Sequence, residues 1–141
     1  MIRMKHIPGN SPEVFEILGP YAMNHDVILK RGNLPIITKE NYTWHILMEG
    51  RTVKAFVGEE QILSYTKLQA FVVLDATKTE LRSLVKEVVR RFQKTNYPKL
   101  TISVLNEHVD IFAKEKFEVV KRKINWTDLA FFQYEEAKQA T

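Results

Sequence analysis

Cysteine is absent from the 141 residues. That excludes disulfides and thiolate-held metal sites and fits a reducing compartment. Glycine is scarce, and its five copies stop at Gly58. The second half of the chain therefore has no Walker loop and no dinucleotide fingerprint, both of which need bare backbone against phosphate. No apolar run is long enough to cross a bilayer, and the opening stretch MIRMKHIPGNSPEVF lacks the apolar core of a secretion signal. A cytoplasmic protein with no membrane partner is the expectation. One-sided charge is also weak: 21 basic against 17 acidic residues give +4. This excess favours an anionic ligand such as a nucleotide cofactor. The lack of a basic stripe interleaved with aromatics argues against nucleic acid. The four histidines, at 6, 25, 45 and 108, never fall at metal-ligand spacing, so no metal site is expected.

What is present is an ordinary globular balance, 45 % hydrophobic and 27 % charged. It predicts one domain over 1–141 with a frayed polar tail from about 135. Met1 to Ile7 reads as a strand ended by Pro8-Gly9-Asn10. Ser11 can cap a helix with Pro12 in its first turn and Val14, Ile17, Leu18 and Tyr21 on one face. Gly19-Pro20 is expected to end or break it. Val27, Ile28 and Leu29 fit a second short helix, and Gly32-Asn33 and Pro35 a loop. Tyr42 to Met48 and Thr52 to Val57 read as strands joined by a turn at Glu49-Gly50-Arg51. Gly58-Glu59-Glu60 reads as another turn. The apolar run Ala70 to Leu74 predicts a central strand buried on both faces.

The helix that follows carries the strongest pattern. Leu81, Leu84, Val85, Val88, Val89 and Phe92 recur at helical spacing from about 78 to 94, and Thr77-x-x-Glu80 fits a capping box. Leu100 to Leu105 alternates as a strand. Asn106 can cap a short helix through Lys116, with Val109, Phe112 and Ala113 inward. Phe117 to Trp126 and Leu129 to Tyr134 close the chain as strands. Lys121-Arg122-Lys123 alternates between faces, as an edge strand that resists aggregation does. Strand-helix-strand over 70 to 105 favours a parallel pair, and the flanking hairpins favour antiparallel neighbours. The fold class is therefore α/β: a mixed, largely antiparallel sheet flanked by helices.

Two stretches, "AFVVLDATKTELRSLVKEVVRRF" and "LTISVLNEHVDIFAKEKFEVV", together with the hairpin carrying Trp44 and "EGRTV", resemble the GNAT superfamily of acyl-CoA-dependent N-acyltransferases. The likeness is mainly one of element order and spans roughly Ser11 to Tyr134. It implies acetyl-CoA as cofactor and a small-molecule or protein amine as acceptor. In that family the fourth and fifth strands part to admit pantetheine, which brings in Val73. Amides of the following turn hold the pyrophosphate, which brings in Thr77, Lys78, Thr79 and Arg82. Asn106 matches the asparagine of the family's later signature and Phe117 its phenylalanine.

The departures lie at the same places. The turn Ala76 to Leu81 has none of the family's glycines, and Glu80 sets a negative charge beside the phosphates. Phe112 and Ala113 stand where a tyrosine often protonates the leaving thiolate, and Lys116 replaces a glycine. Proton carriers are then sought elsewhere. The choices are Asp75 at the end of a central strand, His45 in mid-strand opposite in facing to Trp44, and His108 in a first helical turn that disfavours its charged form. Two readings follow. One is a divergent N-acetyltransferase with weakened cofactor binding. The other is a non-catalytic binding or structural protein on the same fold, of phage or mobile-element origin.

Overall fold

The computed structural model describes residues 2–31, 34 and 36–133. The loop expected at Gly32-Asn33 and Pro35, the final strand residue Tyr134 and the polar tail lie outside the described residues. Seven strands form one sheet in the order β1-β2-β3-β4-β5-β7-β6. They are β1 (Ile2–Pro8), β2 (Tyr42–Glu49), β3 (Thr52–Gln61), β4 (Thr66–Val73), β5 (Lys99–Leu105), β6 (Glu118–Arg122) and β7 (Trp126–Phe132). The helices are α1 (Pro12–Ala22), α2 (His25–Lys30), α3 (Lys78–Gln93) and α4 (Val109–Ala113). The β4–β5 pair is parallel, while β1–β2, β2–β3, β5–β7 and β6–β7 are antiparallel. The expected mixed α/β sheet is thus the observed one. The chain divides into two compact units, Met1–Glu60 with Ala70–Ala76, and Gln61–Gln69 with Thr77–Thr141.

The first unit is built on the β1–β2–β3 meander and α1 and α2. Ser11 caps α1 and Asn24 caps α2, each through its side-chain oxygen. Val14, Leu18, Trp44, Ile46 and Phe56 are buried in one cluster, and Trp44 and Phe56 meet edge to face. Gly9 is required there: a Cβ at this position would lie 2.1 Å from the Lys39 carbonyl oxygen. Gly50 takes the left-handed backbone of the β2–β3 turn, φ +61°. Two expectations fail in this unit. α1 continues through Pro20 to Ala22, because Glu16 and Pro20 lie on the exposed side, where a carbonyl without a helical partner meets solvent. Gly58-Glu59-Glu60 is strand, not turn. Gly58 stands directly across from Trp44, leaving room for the indole. Glu59 and Glu60 find partners on His45 and Asn41.

The second unit centres on α3, whose residues Leu81, Leu84, Val85, Val88, Val89 and Phe92 are all buried, as their spacing predicts. Phe92, Phe112 and Phe117 join Phe131 or one another in tilted and edge-on ring contacts. On α4 the inward residues are Val109, Ile111 and Phe112, whereas Ala113 is exposed. The short helical segment begins as a 3₁₀ turn over Asn106–His108, which rotates the following side chains relative to a regular helix. Trp126 starts β7 rather than ending the preceding strand. Every residue of β6 is exposed, and it is an edge strand, as its alternating charges suggested.

β4 departs from the fully buried strand read from its apolar run. Of Ala70 to Leu74 only Val72 is buried, the rest being half-buried. Its pairing with β5 covers only Thr66 to Leu68 against Leu100 to Ile102. Two residues beyond Leu68, Ala70 adopts φ +53°, a left-handed backbone that costs a non-glycine residue of order 1–3 kcal/mol.

Candidate active site

The N-terminus of α3 forms the capping box that the sequence specifies. The Glu80 amide donates to Thr77 Oγ1 at 3.1 Å, and the Thr77 amide donates to Glu80 Oε1 at 2.9 Å. Leu81 N–H returns to the Thr77 carbonyl at 2.9 Å. Among the described residues, the amides left open in this first turn are those of Lys78 and Thr79. Both side chains are exposed. Arg82 does not stand free beside them: its Nε and Nη2 donate to Glu115 Oε2 at 3.2 and 3.1 Å. Glu115 was not legible as its partner, since α4's end meets α3 only in three dimensions.

Asn106 does not cap the short helix. Its Nδ2 donates to the Ile124 carbonyl at 2.9 Å, its Oδ1 accepts from Thr127 Oγ1 at 2.6 Å, and its amide donates to the Asn125 carbonyl at 3.0 Å. The residue matching the signature asparagine is thus a clamp on the β6–β7 turn, and its amide group is occupied. Lys116, at the position of the signature glycine, sits at φ +71°, so the backbone keeps the shape that glycine serves best. Phe117 behind it is buried and its amide reaches back to the Phe112 carbonyl at 3.2 Å.

Of the expected proton carriers, Asp75 is exposed just beyond β4, and its amide donates to the Lys54 carbonyl. Val73 is half-buried in the strand before it. His108 is half-buried, 3.8 Å from Glu107. Burial pushes its pKa down, partly opposed by the Glu107 charge. His45 faces neither cleft nor solvent; it is fully buried, as is Trp44 on the other face. His45 Nε2 lies 3.0 Å from Glu59 Oε1, and its Nδ1 lies 2.7 Å from His6 Nδ1. The structure therefore joins three residues of β1, β2 and β3 into one polar chain. The sequence signal for it was a histidine in the middle of each of two strands, which only the register His6↔His45 converts into a pair. Among the described residues no group of three or more His, Asp or Glu side chains is arranged to hold a metal ion, and no helix is long and apolar enough to cross a membrane.

Comparison with known proteins rests on shape. No family model matches the sequence, and no curated protein matches it significantly. Solved structures do match. A probable acetyltransferase from Staphylococcus epidermidis is 13 % identical with a TM-score of 0.67, over 95 % of this chain and 100 % of that one. A GNAT family acetyltransferase from Elizabethkingia anophelis with acetyl-CoA bound is 12 % identical with a TM-score of 0.62, over 93 % and 97 %. The PaiA N-acetyltransferase of Thermoplasma acidophilum, in complex with coenzyme A, is 12 % identical with a TM-score of 0.65, over 94 % and 99 %. Over 93 % to 95 % of its residues, the chain has the fold of the GNAT acetyltransferases.

Proposed function

We propose that the chain is an N-acyltransferase that moves an acetyl group from acetyl-CoA to an amine and holds the cofactor weakly. The observation that carries this reading is the end of the β4–β5 pairing at Leu68, with Ala70 held in a left-handed backbone just beyond it. A sheet serving only as scaffold gains nothing from so short a parallel register and a left-handed residue beside it, whereas pantetheine recognition uses strand edges of this kind. The Lys78 and Thr79 amides and the dipole of α3 supply the anion end of the site. Glu80 and the capping box oppose it, and Arg82 is already paired with Glu115.

Acetyl-CoA, when bound, supplies the activated thioester. The chain's own work is to orient it and to take the proton from the acceptor ammonium so that the amine can attack. Three groups are proposed for that proton: Asp75, exposed beyond β4; His108, whose pKa burial lowers, favouring the form that can accept; and His45, which reaches the outside only through its partners. Incubation with acetyl-CoA and a panel of amines, followed by release of free thiol, tests the reading. Slow, amine-dependent release that grows with millimolar acetyl-CoA is expected.

A second reading is favoured by the closed capping box and by the absence of a hydroxyl at Phe112 and Ala113. In it the chain is a non-catalytic binding or structural protein on the same fold. No thiol release with any amine, and no heat on adding acetyl-CoA, are its expected results.

A further inference from the structure

Within the second unit, the two faces of the sheet differ. Phe131 stands across from Leu100, and Phe92 of α3 meets Phe131 edge to face. Leu100 and its alternate residues Ile102 and Val104 therefore look toward the helix, and all three are buried. The residues between them look away from α3. The register sets Lys67 beside Thr101 and Thr101 beside Ala130, and it sets Ser103 beside Asp128. Lys99, two residues before Thr101, shares that face. These side chains, with Val120 of β6 and Lys123 just beyond it, line a groove of about 380 Å³, the size of a small-molecule site. All of them belong to the second unit.

The charges in the groove do not cancel. Lys123 is paired with Asp128 at 3.2 Å. Among the described residues, Lys67 and Lys99 have no carboxylate partner; the Lys99 ammonium stands 5.3 Å from the centre of the Tyr65 ring. On the same face β6 adds Glu118 beside Ala130 and Lys121 beside Asp128. Four lysines against two carboxylates leave two positive charges over. Lys67 and Lys99 sit at diagonal cross-strand positions, where like charges repel and an anion between them removes the cost. The Thr101 and Ser103 hydroxyls have no side-chain hydrogen bond among the described residues and offer two more donors. Lysine is a point charge and lacks the planar fork with which arginine matches a carboxylate. The set therefore suits a compact tetrahedral dianion.

We infer that this groove binds the phosphate of a small phosphate monoester, between Lys67 and Lys99 and against the hydroxyls of Thr101 and Ser103. The groove is larger than a phosphate group, and its apolar wall at Val120 and Ala130 takes the organic part. The assignment stands on the second unit alone and does not rest on the acetyltransfer reading.

Calorimetric titration of the full chain at low salt tests it, with phenyl phosphate, phenyl sulfate and inorganic phosphate as probes. At about pH 7.5 phenyl phosphate should bind roughly tenfold more tightly than phenyl sulfate, which has the same shape and one negative charge. That advantage should vanish at about pH 5, where the phosphate is a monoanion. Lys67→Ala and Lys99→Ala should each weaken phenyl phosphate roughly tenfold, the scale of one charge-assisted hydrogen bond. Lys86→Ala removes the same charge from an exposed position on α3 and should leave binding unchanged. The amide resonances that shift should include those of Thr101, Ser103 and Ala130. No heat from phenyl phosphate, equal affinity for the two esters, equal loss in Lys86→Ala, or shifts confined to Lys78 and Thr79 would overturn the site. Displacement of phenyl phosphate by acetyl-CoA would also overturn it, by giving the groove to the cofactor. Tighter binding of inorganic phosphate, or of a phosphoserine peptide, than of phenyl phosphate would overturn the small monoester as its ligand.

Discussion

Replacing Asn106 by Ala separates a clamp from a cofactor ligand. In the structure the side-chain amide donates to the Ile124 carbonyl and accepts from the Thr127 hydroxyl, and Thr127 is fully buried. Asn106→Ala removes both bonds. Loss of the exposed Nδ2–carbonyl bond costs about 1 kcal/mol, because water can replace the donor. The Thr127 hydroxyl has no such rescue, and an orphaned buried donor costs about 1–3 kcal/mol. The sum is about 2–4 kcal/mol, read as a lower urea midpoint at unchanged slope. Thr127→Val in the Asn106→Ala background removes the orphan, so the double variant should recover about 1–2 kcal/mol and show clear non-additivity. Acetyl-CoA affinity should be the same in the unmodified chain and in Asn106→Ala. A cost below about 0.5 kcal/mol, additive single changes, or weakened cofactor binding with stability intact would refute the clamp.

Other consequences follow from the same packing. Leu84, fully buried on α3, should cost about 2–5 kcal/mol on replacement by Ala, measured by calorimetric unfolding. Lys116→Gly should raise stability by about 0.5–1 kcal/mol, because φ +71° strains lysine and suits glycine. His108 is held below its usual pKa of 6.5 by burial. The unfolded chain therefore binds the proton more tightly, and stability is full above about pH 6.5 and falls as pH drops below it. His108→Gln should flatten that part of the pH–stability curve.

Helix α3 was readable to within a residue because its signals agree: a capping box at Thr77 and Glu80, and six apolar residues at helical spacing. The sheet class was readable because strand formers flank the turn at Gly50 on both sides. What failed was local inference about residues whose partners are distant. Gly58-Glu59-Glu60 looked like a turn until Trp44 and His45 on the neighbouring strand accounted for it. Asn106 looked like a cap, but its partners lie 18 to 21 residues on. The candidate site was legible as a set of positions, Val73, Thr77, Lys78, Thr79 and Arg82, and not as a set of contacts. That Arg82 is neutralised by Glu115, and that His45 is joined to His6, depends on packing and register, which one strand or helix alone does not encode.

The central claim is that a glycine-free turn with a closed capping box still binds acetyl-CoA, and does so weakly. Calorimetric titration of acetyl-CoA at low salt, into the unmodified chain and into Glu80→Gly, tests it most directly. The account predicts a dissociation constant in the millimolar range for the unmodified chain, about −4 kcal/mol. It predicts tighter binding by Glu80→Gly, which removes a like charge and a side chain from the path of the pyrophosphate. Micromolar binding by the unmodified chain, or binding that Glu80→Gly leaves unchanged, would contradict it.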